Sequence, residues 1–302
     1  MGNYDFKVHE SKQMRVIIDT DAACECDDQF AIVYALLSPK LNVKGIVATH
    51  YADMRGPGSM EDSYQEVKRI LELMELEEQV KCFRGAENQL SCLKEQDNEG
   101  VDFIIEEALK DDVMPLCYLG LGPLTNLALA IKKKPEVAKR LTLIWIGGGS
   151  LPGGVKEFNL NNDVEAANLI MSSECPVSSI NAKCYIGIKV SFAELQHKVK
   201  PYGEIGKYLF QQIIDRSMHF SENPFVPGWP AGESWFLADM VAVGIALEPH
   251  EFEYCLEPAS QVVEGNMNFP VLTARPIKVY SKANYRYIFE DFFSKLALTY
   301  GG

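Results

Sequence analysis

Asp19, Asp21, Glu25, Asp27 and Asp28 place five carboxylates within ten positions. Like charges this close repel one another unless some are protonated or a cation sits among them. An all-oxygen set suits a hard cation, calcium or magnesium, rather than zinc. A purely structural reading covers less. Asp27 or Asp28 could cap a helix, because acceptors near an N-terminus meet unpaired N–H groups and a favourable dipole. That reading leaves Asp19 and Asp21 unexplained. Cys24 and Cys26 in the same stretch would suggest a soft-metal or redox pair, but no second pair and no nearby histidine accompanies them.

These side chains need a strand and a helix to hold them. Val16, Ile17 and Ile18 form an apolar, β-branched run that predicts a strand. Phe30, Ala31, Val33, Tyr34, Leu36 and Leu37 recur at helical spacing, which predicts a helix starting near Asp27. The acids therefore fall at the carboxyl end of a strand and in the first turn of the next helix. Ligands bind there in open α/β sheets. Further strands are expected over residues 41–49, 80–82, 114–121, 141–146, 175–180 and 186–190. Helices are expected over 63–74, 101–109, 205–221 and 284–300, and from Thr125 or Asn126 and Asp239 onward. This alternation predicts an α/β fold, Rossmann-like, with a mostly parallel central sheet flanked by helices. It is read as a single domain over 14–302 after a polar N-terminal segment, 1–13.

Composition narrows the partners. A net charge of −13 argues against general nucleic-acid binding, which wants a basic face. No run of eighteen apolar residues exists, so no membrane span is expected. The start lacks the apolar core of a signal peptide. The eight cysteines are scattered, as free thiols in a reducing compartment are. The expected location is cytoplasmic. An exported mature form stays open, since a removed leader would leave the same start.

The acid-rich stretch resembles the inosine/uridine-preferring nucleoside hydrolase family. Its signature is a strand ending in Asp-x-Asp, a short loop, and Asp-Asp opening a helix; Asp19, Asp21, Asp27 and Asp28 fit it. Gly122-Pro123 followed by Thr125-Asn126 is a second match. Glu157-Phe158-Asn159 with Asp163 is a third, and Asp239 opening an apolar helix a fourth. Arg84-Gly85-Ala86 is a weaker one. There are departures. The loop after Asp21 is the five residues AACEC where the family has Pro-Gly plus one. The loop before Glu157 is short and glycine-bearing. The histidine that relatives often carry before the last aspartate is Ala238 here.

The resemblance implies calcium-dependent hydrolysis of the N-glycosidic bond of a ribonucleoside, giving free base and ribose, as in purine and pyrimidine salvage. Asp21, Asp28, Asp239 and the Leu121 carbonyl would hold Ca2+. Asp21 would act as the catalytic base. Asp27, Glu157 and Asn159 would bind ribose hydroxyls, and Glu25 of the longer loop is expected to face the same cleft. A homo-oligomer, dimer or tetramer, is implied as well. With alanine at 238, a proton donor or stacking partner for the base is sought among His50, Tyr51, His219, Trp229 and Trp235, with Phe220 and Phe225 in the same aromatic stretch. Two other readings stand beside this one. The first is a non-catalytic or altered-specificity ribose-binding relative. The second is an Asp-based phosphatase, which also begins with a strand and Asp-x-Asp but normally has Thr or Val where Ala23 stands.

Overall fold

Strand β1 (Met14–Thr20) is buried from Arg15 to its end, and this explains its run of β-branched residues. A central parallel strand is covered on both faces and needs apolar side chains on both. Val16 and Ile18 pack into one hydrophobic cluster, and Ile17 into the cluster on the opposite face. The computed structural model describes residues 4–93, 97–148, 157–222, 230–263, 267–271 and 274–301.

The remaining strands are β2 (Leu41–Ala48), β3 (Cys82–Arg84), β4 (Leu116–Gly120), β5 (Thr142–Ile146), β6 (Val177–Ile180), β7 (Lys189–Ser191), β8 (Ser234–Phe236), β9 (Glu253–Pro258), β10 (Ser260–Val263), β11 (Met267–Pro270) and β12 (Pro276–Lys282). The helices are α1 (Asp27–Leu36), α2 (Ala52–Arg55), α3 (Ser59–Leu73), α4 (Glu99–Leu109), α5 (Thr125–Lys133), α6 (Phe158–Asn162), α7 (Val164–Ser172), α8 (Ala182–Tyr185), α9 (Phe192–Lys198), α10 (Gly203–Glu222), α11 (Met240–Leu247) and α12 (Tyr285–Tyr300).

Eight strands form one sheet in the order β3-β2-β1-β4-β5-β6-β12-β9. Every neighbouring pair is parallel except β12 with β9. The order reverses between β1 and β4. That is a topological switch point, where the connections leave in opposite directions and a crevice opens at the strands' carboxyl ends. Helices α1, α11 and α12 supply buried residues to the cluster on one face, and α4, α5 and α7 to the other. The single α/β domain with a mostly parallel sheet is as the sequence predicts.

Element edges differ where local signals compete. The strand expected over 186–190 begins later. Asn181 caps a short helix by accepting from the Lys183 N–H, so the chain turns once before entering β7. β7 then pairs with β8 in a separate antiparallel ribbon. Helix α3 starts at Ser59, four residues before its expected start, after Gly58 at φ 95.

Candidate active site

Pleating decides where the end of β1 sends its side chains. Asp19 points toward α5, where its Oδ2 accepts from the Tyr118 hydroxyl and from Asn126 Nδ2 at 2.9 Å. Asn126 also accepts from the Ala86 N–H at 2.7 Å, so one amide in the first turn of α5 ties β1 to the loop after β3. Thr20 points the other way and donates its hydroxyl to Asp28 Oδ1 in the first turn of α1. Asp21 follows the strand end. Its carboxylate lies against the β4–α5 turn, where a Cβ on Gly122 would come within 3.1 Å of Asp21 Oδ1 and 2.6 Å of the Thr49 methyl. Glycine at that position permits the approach.

Helix α11 brings the last aspartate. Asp239 faces Asp28, and one oxygen from each of Asp27, Asp28 and Asp239 lies within 4.8 Å of the others. Main-chain N–H groups of Asp27, Asp28, Ala238 and Asp239 surround the Asp27 carboxylate and favour its charged form. Two of the three carboxylates expected to hold a metal, Asp28 and Asp239, are in this triplet. Its third member is Asp27, which the resemblance gives to the sugar. Asp21 lies beside them in the same cleft, and its buried Oδ2 has no hydrogen-bond partner among the described residues.

Burial governs the electrostatics. It pushes Asp28 up to about 7, with help from the charge of Asp27 and against the hydrogen bond from Thr20. Burial raises Asp27 to about 6, against the pull of the main-chain N–H groups around it. Asp21 and Asp239 rise well above the usual carboxylate range, through burial first and their acidic neighbours second. Glu25 reaches about 8, through burial and the charges of Asp27 and Asp28, against the pull of Arg216. An orphaned carboxylate oxygen, three converging acids and a cleft wall without lysine or arginine among its described residues form a donor set for a hard divalent cation.

The cleft above these acids has a volume of about 130 Å³. Glu25 lines it, as do Glu157 and Asn159 on the far wall. Glu157 N-caps α6 and accepts from the N–H groups of Asn159, Leu160 and Gly148 and from the Tyr185 hydroxyl. Asn159 Nδ2 bridges the carbonyls of Leu121 at 2.6 Å and Ile146 at 2.9 Å. The Leu121 carbonyl therefore faces the site with one lone pair occupied. A larger cavity of about 500 Å³ lies behind the 22–26 loop, lined by Gln29, Glu66, Tyr208 and Arg216, and holds none of the acids.

The aromatic stretch before Asp239 is divided. Trp235 is buried in the core and stacks with Phe220 and Phe236 at 6.2 Å centroid spacing. Phe236, its neighbour, lines the cleft together with Phe158 and Tyr185. His219 lines the larger cavity. His50 is buried, with Nε2 bonded to Thr125 Oγ1 and Nδ1 to the Ala52 N–H, and Tyr51 is buried beside it. Neither lines the cleft. Phe225 and Trp229 lie outside the described residues. Thr20, Tyr185 and Phe236 are cleft or support residues that no motif in the sequence marks. Thr20 follows from strand alternation, and Tyr185 from the cap-type Asn181 at the end of a parallel strand.

A doubly wound sheet with an acid cluster at its switch point defines a ligand site at the carboxyl ends of the strands. The model for "Inosine-uridine preferring nucleoside hydrolase" matches residues 16–279, and the chain belongs to that family. It is 28% identical over 187 residues to the pyrimidine-specific ribonucleoside hydrolase RihA of Salmonella paratyphi B, covering 54% of this chain and 58% of that relative. In structure it is similar to a purine-preferring ribonucleoside hydrolase from Gardnerella vaginalis, with a TM-score of 0.77, 21% identity, and 94% and 98% of the two chains covered. The inosine-uridine preferring nucleoside hydrolase of Bacillus anthracis is similar with a TM-score of 0.68 at 15% identity, over 95% and 100% of the chains. No helix among the described residues is long and apolar enough to cross a membrane.

Proposed function

We propose that this chain hydrolyses the N-glycosidic bond of ribonucleosides, releasing free base and ribose, with Ca2+ as its cofactor. The observation that carries the reading is the convergence of Asp21, Asp27, Asp28 and Asp239 under a cleft walled by Glu157 and Asn159. Asp28, Asp239 and Asp21 would hold the cation, with the second lone pair of the Leu121 carbonyl. Asp27, beside Ala238 on the cleft wall, stays on the sugar side. When bound, calcium balances the negative charge and makes a coordinated water more acidic.

The chain's own groups supply the rest. Asp21, with a free buried oxygen, is the general base that takes a proton from the attacking water. Asp27, Glu157, Asn159 and Glu25 hold the ribose hydroxyls. The surrounding carboxylates stabilise the cation-like sugar of the transition state. Phe158 and Phe236 offer ring faces for the departing base. The acids and the absence of a cationic side chain on the described cleft wall disfavour a phosphorylated substrate, and with it the phosphatase reading.

A second reading rests on Ala238 and the lengthened loop: a relative that binds ribose or nucleosides without turning them over. The free thiols of all eight cysteines support a cytoplasmic setting, and a dimer or tetramer belongs to the same proposal. Ribose release from a panel of purine and pyrimidine ribonucleosides, measured with calcium and again after chelation, tests the function. Calcium-dependent release from at least one nucleoside supports hydrolysis. Binding of ribose without release supports the second reading.

A further inference from the structure

We propose that Tyr185 is a positioning and specificity residue of this cleft, its phenol working with Glu157 to seat one hydroxyl of the sugar. The inference rests on the ribose-binding part of the functional reading. Glu157 Oε2 is taken by the N–H groups of Leu160 at 2.8 Å and Gly148 at 3.3 Å. Its Oε1 accepts from the Asn159 N–H at 3.2 Å and the Tyr185 hydroxyl at 3.2 Å. Of these four donors, Tyr185 alone is a side chain.

The pair is slack. An O–H donor closed on a carboxylate sits at about 2.5–2.7 Å. The weak pairing leaves the phenol proton able to turn to a third hydroxyl placed beside both oxygens, which donates to Glu157 Oε1 and accepts from the Tyr185 O–H. Burial and the neighbouring Glu157 raise the Tyr185 phenol, so it keeps its proton. The ring is held rigidly. Tyr185 ends α8, which Asn181 caps, and the Tyr285 hydroxyl of α12 donates to the Cys184 carbonyl at 2.8 Å. The same hydroxyl would lie 2.7 Å from a Cβ on Gly187, so α12 packs directly on the chain leaving α8. A phenol fixed from two sides selects geometry better than one on a mobile loop.

Tyr185→Phe removes the hydroxyl and keeps the ring, so it isolates the proposed contact from packing. A hydrogen bond between neutral groups is worth roughly 0.5–1.5 kcal/mol, so KM should rise about 2- to 10-fold while kcat and melting temperature change little. The decisive readout is the ratio of wild-type to variant kcat/KM for a ribonucleoside and its 2′-, 3′- and 5′-deoxy forms. The ratio should collapse toward one for the single analogue lacking the hydroxyl that Tyr185 holds, and stay high for the others. An equal ratio for all four substrates overturns the proposal, whether that ratio is one or large. If the unaltered chain hydrolyses no nucleoside, the catalytic reading fails separately. The same ratio is then taken from dissociation constants of ribose and its deoxy forms by calorimetry, and absence of ribose binding overturns both.

Discussion

At the scale of single residues, this chain treats its buried charges in two ways. Arg15 with Glu107 at 2.9 Å, and Lys295 with Asp291 at 2.5 Å, are paired. The acids at the end of β1 have no such partner on the cleft wall. A buried charge without compensation costs stability, and such sites persist where a ligand or a reaction uses them. Ala238 is the residue at which the expected chemistry is thinnest. Positioned proton donation is worth roughly 10²- to 10⁴-fold in rate, so Ala238→His should raise turnover of ordinary nucleosides by up to that range. It should leave a nitrophenyl riboside unchanged, because that leaving group departs as an anion. Equal acceleration of both substrates would show that the imidazole acts by other means. The aspartates were legible in the sequence because the strand, loop and helix that gather them are contiguous. Phe236 was not. Whether Trp235 or Phe236 faces the cleft depends on the register of β8 against β7, and a one-residue shift exchanges the two.

At the scale of elements, the lengthened loop is built rather than loose. The Cys24 N–H donates to the Asp21 carbonyl at 2.8 Å, Gln29 Nε2 to the Ala22 carbonyl at 2.5 Å, and Arg216 Nη2 to the Ala23 carbonyl at 3.2 Å. The loop is thus held from α1 and α10 while Glu25 remains on the cleft side. Glu25→Gln should weaken ribose affinity or turnover by roughly 10- to 100-fold, the value of one charge-assisted hydrogen bond. If both are unchanged, Glu25 is a wall residue without a sugar contact. The junction of β2 with α5 makes a pH prediction. Thr125 donates its only proton to Asp163 at 2.6 Å, so His50 Nε2 must be the donor to Thr125, and Nδ1 accepts from the Ala52 N–H. Burial lowers this imidazole to about 4. The folded chain keeps it neutral while the unfolded chain takes up a proton near pH 6.5, so the share of stability that depends on His50 should fall between pH 6.5 and 4 and be constant above that window, while the raised cleft acids act in the opposite direction. The loss amounts to at most roughly 3 kcal/mol. Urea unfolding of the unaltered chain and of His50→Asn over a pH series checks it: the stability of the unaltered chain relative to the variant should drop as pH falls from 6.5 to 4 and stay constant above 6.5.

At the scale of the whole molecule, strand order assembles the site. Placing β1 beside β4 brings Asp21 to the Gly122 turn, and the distant α11 then delivers Asp239 beside Asp28. Alternating periodicity was enough to give the sheet and the switch-point crevice, since both follow from repeated strand–helix units. It could not give the far wall. That wall depends on where the connections after β5 and β6 return, and their residues carry only local capping signals. The central claim is that distant segments close around one cation under a sugar. A crystal structure grown with calcium and ribose tests it most directly. One ion is expected with oxygens of Asp21, Asp28 and Asp239 at about 2.3–2.6 Å, and ribose hydroxyls against Asp27 and Asn159. An empty acid cluster at saturating calcium, or an ion held by Asp27 and Glu25 alone, would contradict it.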